Sequence, residues 1–303
     1  MMGGRISQAA CLAIAALMVG VSGCGRSIKI EEPARLAVHD EGNGQAIVLL
    51  HGMGDSSLGW RQTSEALLAD QYRVIAWDAL GAGDSPKPRD GDYSLRAHVA
   101  RLEDILAEKE LHDVVLVGHS LGGSMALVYT QQHPERVSKL VLVNPAAYRE
   151  GAMKRRWIWD TPLLADVALG LAPRSMIVGK AMQLNFHNEE LVTEEVKSAY
   201  LAEAKKPGTI RAFISQQRQL LPPDIDEIEQ GYRHIEVPTL ILWGNEDEIL
   251  PVTQAERLAE DLPDARLVVL QQVGHSPHLE APDRVAEEIV SFVLDERGGR
   301  GEY

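Results

Sequence analysis

Along the chain, short runs that are apolar on both sides alternate with longer stretches in which apolar residues recur every three or four positions. Ala46–Leu50, Val74–Trp77, Val114–Val117, Leu140–Val143, Thr239–Trp243 and Arg266–Leu270 are the short runs. Each is four or five residues long and bounded by turn residues, which predicts buried strands. Between them, 58–69, 95–110, 122–132 and 283–294 carry helical spacing; Leu102, Ile105 and Leu106 form one stripe, with Ser94 placed to cap that helix. Strands without a polar face, separated by helices, predict an α/β architecture: a mostly parallel central sheet with helices on both faces.

The alternation breaks once. From Ala146 to Gly231 no strand pattern occurs, while "LLADVALGLA", "MIVGKAMQL" and "TEEVKSAYLAEAKK" read as helices separated by Pro162, Pro173 and Pro207. That is too long for a connection within a sheet. It predicts a helical lid over 146–231 between core parts 34–145 and 232–296, at the carboxyl ends of the strands, where such sheets bind ligands. Its apolar side chains, among them Trp157, Trp159, Leu163, Leu164, Leu169, Leu171 and Phe186, divide between packing on the core and lining a pocket.

The N-terminus follows another pattern. Arg5 precedes a thirteen-residue apolar run, Ala9–Val21, that ends at Val-Ser-Gly-Cys. The run is short for a bilayer span and matches a signal peptide over 1–23. The cysteine at its end resembles a bacterial lipoprotein signal, which implies lipidation of Cys24, a tether over 24–33 and an exported domain held to a membrane by its acyl chains. An ordinary signal cleaved nearby, or a retained anchor, is the competing reading. Cys11 and Cys24 are the only two cysteines. Cleavage therefore leaves no disulfide, and thiol nucleophiles and thiolate zinc sites are excluded.

Composition narrows the partners. Roughly 280 residues follow the signal, enough for one large domain. A net charge of −14 disfavours nonspecific binding to nucleic acid or anionic lipid. The one basic cluster, Lys154-Arg155-Arg156-Trp157, reads as a solvated helix start. Residues 297–303 read as a flexible tail.

The candidate chemistry lies at strand ends. Gly118-His119-Ser120-Leu121-Gly122 follows an apolar strand and opens a helix, with Gly123 beyond. This G-x-S-x-G spacing sets a serine on a sharp strand-to-helix turn. A serine hydroxyl needs a base, and the base needs an orienting acid. Asp247 follows the penultimate strand and His275 the last, so the order Ser120, Asp247, His275 is that of nucleophile, acid and histidine in this topology. His275 is the predicted base, while Glu246 and Glu248 read as surface carboxylates and His278 as a helix-start or loop histidine that is also the alternative base. The backbone N–H groups of Leu121 and of Met53, in "HGMGDS", are the predicted oxyanion donors. His51 reads as a brace of that loop. The scattered histidines lack H-x-H and H-E-x-x-H spacing, Asp78 and Asp84 look like turn residues, and "GAGDS" lacks the G-x-G-x-x-G of a nucleotide site. No metal or cofactor is called for.

On "HGMG", "DALGAGDS", "GHSLGG", "LWGNEDEILP" and "VGHSPHLEAP", the chain resembles the α/β-hydrolase superfamily over residues 34–296. The resemblance is to its lidded esterases, lipases, carbon–carbon bond hydrolases and cofactor-free peroxidases. It implies about eight strands, with antiparallel material near Leu36–Val38, and hydrolysis of a small or lipid-like ester through an acyl-serine. Ser120 stands where epoxide hydrolases and haloalkane dehalogenases carry Asp, which counts against both. Carbon–carbon cleavage, perhydrolysis and a noncatalytic binding role remain alternatives at this point.

Overall fold

The computed structural model describes residues 35–150 and 164–295. Cys24 with its signal and tether, the Lys154–Trp157 cluster, Trp159, Leu163 and the 297–303 tail lie outside the described residues.

Strands β1 (Val38–Glu41), β2 (Ala46–Leu50), β3 (Arg73–Trp77), β4 (Val114–His119), β5 (Val137–Val143), β6 (Thr239–Gly244) and β7 (Ala265–Leu270) form one sheet in the order β1-β3-β2-β4-β5-β6-β7. Only β1 runs antiparallel, against β3; the other neighbours are parallel. Among the described residues the sheet thus has seven strands, where the resemblance implied about eight.

The sheet is buried on both faces because successive residues of each central strand are apolar and point alternately to its two sides. Val48, Leu116, Leu142 and Trp243 point into one layer, and Leu49, Val117, Val141 and Leu242 into the other. The first layer is closed by helices α2 (Leu95–Glu108) and α3 (Leu121–Gln132), the second by α1 (Arg61–Ala69) and α11 (Pro282–Leu294). Ser94 caps α2 by accepting from the Ala97 N–H, and Leu102, Ile105 and Leu106 are buried as the stripe predicts.

Strand β5 starts at Val137, three residues before the apolar run, because Ser138 and Lys139 are part of it. The Lys139 ammonium donates to the carbonyls of Phe292, Val293 and Asp295, so the charge closes the end of α11. Between β5 and β6 the described residues form helices: α4 (Leu164–Leu171), α5 (Arg174–Asn185), α6 (Glu194–Lys205), α7 (Thr209–Gln219) and α8 (Ile225–Gly231). Phe186 packs with Val178, Met182 and Val192 in a small core of this insertion, whereas Leu171 is 82% exposed. After β6 come α9 (Thr253–Asp261) and, beyond β7, the short α10 (Pro277–Glu280).

The strand order reverses direction between β2 and β4. The loops leaving their carboxyl ends therefore flank the crevice where sheets of this kind bind ligands.

Candidate active site

Strand β4 ends at His119 and α3 begins at Leu121, which leaves Ser120 alone to make the turn. Its φ of 49° and ψ of −113° lie outside the comfortable regions for an L-residue, a strain of order 1–3 kcal/mol that the surroundings must hold. They do so through packing that only glycine allows. A Cβ on Gly118 would stand 2.3 Å from the Gly122 carbonyl oxygen, and one on Gly122 would stand 2.2 Å from that of Leu50. The turn is pinned by bonds from Ser120 N–H to the Val143 carbonyl (3.1 Å) and from Ala146 N–H to the Ser120 carbonyl (3.0 Å). Ser120 is half-buried while His119 and Leu121 on either side are buried, so the turn presents the serine outward.

Asp247 and His275 meet at 2.7 Å, Nδ1 of the imidazole against Oδ2 of the carboxylate. Both side chains are all but inaccessible to water. The Asp247 Oδ2 also accepts from Asn144 Nδ2 (2.6 Å), and its Oδ1 accepts from the N–H groups of Ile249 (2.8 Å) and Leu250 (2.9 Å). With four N–H groups on it, the carboxylate has one orientation. It places the proton of a neutral His275 on Nδ1 and leaves the Nε2 lone pair free to accept another. The two loops touch at Gly244, where a Cβ would lie 2.2 Å from the Gly274 carbonyl oxygen.

His119 links the serine turn to the histidine loop. Its Nε2–H donates to the His275 carbonyl at 2.8 Å, and the two rings lie 5.0 Å apart. Burial holds His119 neutral, far below the usual imidazole range. Gly52, next to Met53, approaches this turn so closely that a Cβ would be 3.2 Å from the Ser120 Cβ. The "HGMG" loop and the first N–H of α3, which a helix leaves without an internal acceptor, thus share the serine's surroundings. His51 braces that loop: Nδ1–H donates to the Gly52 carbonyl (2.7 Å) and Nε2 accepts from Ala79 N–H (3.0 Å). Asp78 accepts from the N–H groups of Ser57 and Asp84, both at 2.7 Å, as a turn residue does.

Glu246 and Glu248 are exposed, as read from the sequence. His278 lies in the first turn of α10 but is wholly buried, its ring in tilted contact with those of Trp60 and His119, with Nε2 3.4 Å from Asp55 Oδ2. Asp55 Oδ1 in turn accepts from the Tyr200 hydroxyl of α6 at 2.9 Å. Asp55, His119 and His278 bring potential metal-ligand atoms within 4.8 Å of one another. The two rings, however, lie tilted by 48° with centroids 4.3 Å apart. Imidazoles converging edge-on upon one ion at metal–nitrogen distances near 2 Å hold their centroids about 5 Å apart. The cluster has the form of a packed polar brace.

Asn144 and Asp55 escaped the sequence reading. The "NP" dipeptide at the end of β5 is a turn signal that marks Asn144, which takes φ 42° and is fully buried. Asp55 has no such mark; only the fold brings it to His278.

The model of the alpha/beta hydrolase fold family matches residues 45–282. The 2-hydroxymuconate semialdehyde hydrolase of Pseudomonas putida is 30% identical over 86% of this chain and 91% of its own length. Lipase 1 of Psychrobacter immobilis is 25% identical over 88% of this chain and 83% of its own. Among solved structures, an esterase from Exiguobacterium antarcticum superposes with a TM-score of 0.76 at 26% identity, covering 86% of this chain and 96% of that one.

Proposed function

Because the chain belongs to the alpha/beta hydrolase fold family, whose members similar to it include esterases and lipases, we propose that it hydrolyses a carboxylic ester by acyl transfer to Ser120. The observation that carries the proposal is the buried Asp247–His275 pair, tied through His119 to a serine held at φ 49°.

In this reading, Ser120 Oγ attacks the ester carbonyl while its proton passes to His275 Nε2. Asp247, held by four N–H groups, keeps the ring in the accepting tautomer and stabilises the imidazolium that forms. The tetrahedral oxyanion lies between the N–H groups of Leu121 and Met53. Collapse of the intermediate breaks the carbon–oxygen bond, and the imidazolium returns its proton to the departing alkoxide. Water, deprotonated by the same nitrogen, then releases the acid and regenerates Ser120.

The helical insertion between β5 and β6 serves as the lid, and its apolar side chains favour an ester with an apolar group. Hydrolysis of p-nitrophenyl esters from acetyl to dodecanoyl tests this. Higher kcat/KM on medium or long chains supports it, and equal rates on all of them remove the support. The resemblance to a semialdehyde hydrolase keeps carbon–carbon cleavage as a second reading, distinguished by turnover of a ring-cleavage product in place of the esters. The sequence around Cys24 supports export as a lipid-anchored protein. Cys24→Ala would move the protein from the membrane to the soluble fraction if that is right and leave it unmoved if not.

A further inference from the structure

We propose that Glu280 is a positioning residue, clasping the insertion's turn 185–188 and the His275 loop into one unit so that the base is correctly placed only while the insertion is seated. This rests on the hydrolase reading for the role of His275; the clasp itself rests on geometry.

Glu280 closes the short helix α10, five residues after His275. Its Oε1 accepts from Gly274 N–H at 2.7 Å, and its Oε2 accepts from His187 N–H at 2.8 Å and Asn188 N–H at 3.1 Å. One carboxylate thus satisfies N–H groups of two segments far apart in sequence. On the other side of His275, Ser276 N–H donates to the Asn185 carbonyl and Ser276 Oγ to Asn185 Oδ1, both at 3.1 Å. The loop is therefore bound to the insertion immediately before and immediately after its histidine. The approach is so close that a Cβ on Gly274 would stand 2.7 Å from His187 N and 2.9 Å from the Asn185 carbonyl oxygen. Only glycine fits there.

The electrostatics agree with a role in positioning. Burial pushes the Glu280 carboxyl above its ordinary range, against the three N–H groups that favour its charge. A folded-state pKa above the unfolded value stabilises the fold below the unfolded pKa, and that contribution is lost as pH rises through the folded one. At neutral pH the charge is therefore a net cost to the fold, and what it secures is the geometry of the two segments. Polar side chains that fix a reacting group from behind act in this way, since small misplacements of a base carry large rate penalties.

Glu280→Gln tests the clasp at nearly constant volume. The amide offers one oxygen, so its NH2 must face either Gly274 N–H or the N–H groups of His187 and Asn188, and half of the clasp is lost. The expected result is a fall in kcat of roughly tenfold to a hundredfold, with KM for a p-nitrophenyl ester within about threefold of wild type. Backbone hydrogen exchange should rise together at 274–276 and 185–188. Ser276→Ala, which removes one bond between the same segments, should change both readouts in the same direction by less. A Glu280→Gln enzyme whose kcat stays within about twofold of wild type overturns the positioning role. Unchanged exchange in either segment overturns the clasp. If wild type hydrolyses no ester, the ester-hydrolase reading fails instead, and hydrogen exchange still decides the clasp.

Discussion

Asp247→Asn is the substitution for which the geometry makes the sharpest demand. The carboxylate receives two backbone N–H groups on Oδ1, from Ile249 and Leu250, and two side-chain N–H groups on Oδ2, from Asn144 and His275. An asparagine must keep its oxygen at Oδ1, because two backbone donors there cannot rotate away. Its NH2 then occupies the Oδ2 position and faces two donors. Asn144 is not free to turn its oxygen toward it, since that oxygen accepts from Gly244 N–H at 3.2 Å. His275 can relieve the clash only by moving its own proton to Nε2, the nitrogen that accepts from Ser120 in the proposed reaction. The fold bears one buried donor left without an acceptor, a cost of about 1–3 kcal/mol. Catalysis bears the wrong tautomer, for which a loss in kcat of about 10⁴ is expected. That loss corresponds to about 5.5 kcal/mol of transition-state stabilisation. Steady-state hydrolysis of a p-nitrophenyl ester measures the second effect, and the urea midpoint of the same preparation measures the first. A folded Asp247→Asn enzyme within about tenfold of the wild-type kcat would refute the assignment of Asp247 as the residue that sets the tautomer.

Two further predictions concern the frame. Gly122→Ala places a Cβ 2.2 Å from the Leu50 carbonyl oxygen, between α3 and β2. It should lower stability by about 3 kcal/mol, read from the urea midpoint, and an unmoved midpoint would contradict the close-approach argument. His98, His119 and His278 are each held neutral, chiefly by burial, with His98 brought down to about 3. In the unfolded chain these rings take up protons below about pH 6.5. Stability should therefore fall as pH drops from there, by up to about 1.4 kcal/mol per pH unit for each histidine. His98→Leu should remove one such contribution between pH 6.5 and 5, and identical slopes for variant and wild type would contradict it.

Six strands were legible because they are apolar on both faces, a pattern that survives without any knowledge of partners, whereas β1, Val-His-Asp-Glu, carries no such run. Boundaries failed where polar residues serve the fold from inside an element, as Ser138 and Lys139 do in β5. The placement of Ser120, Asp247 and His275 beyond the carboxyl ends of strands was legible because each follows an apolar run and precedes a turn or helix. Their supports were not. Asn144, Asp55 and Glu280 act on residues between 6 and 223 positions away in sequence. No local pattern encodes such pairings; only the closing of the sheet and the seating of the insertion bring them together. His278 shows the same limit: three residues after the predicted base, it reads as a helix-start or loop histidine, yet it is buried against Trp60 and His119.

The proposed function stands or falls with Ser120 as the nucleophile. Reaction of the whole protein with a fluorophosphonate, followed by peptide mass mapping, tests it directly. The expected result is one phosphonyl group on the peptide containing Ser120, and neither labelling nor ester hydrolysis in Ser120→Ala. Labelling that persists in Ser120→Ala, or a modified residue elsewhere in the wild-type protein, would contradict it.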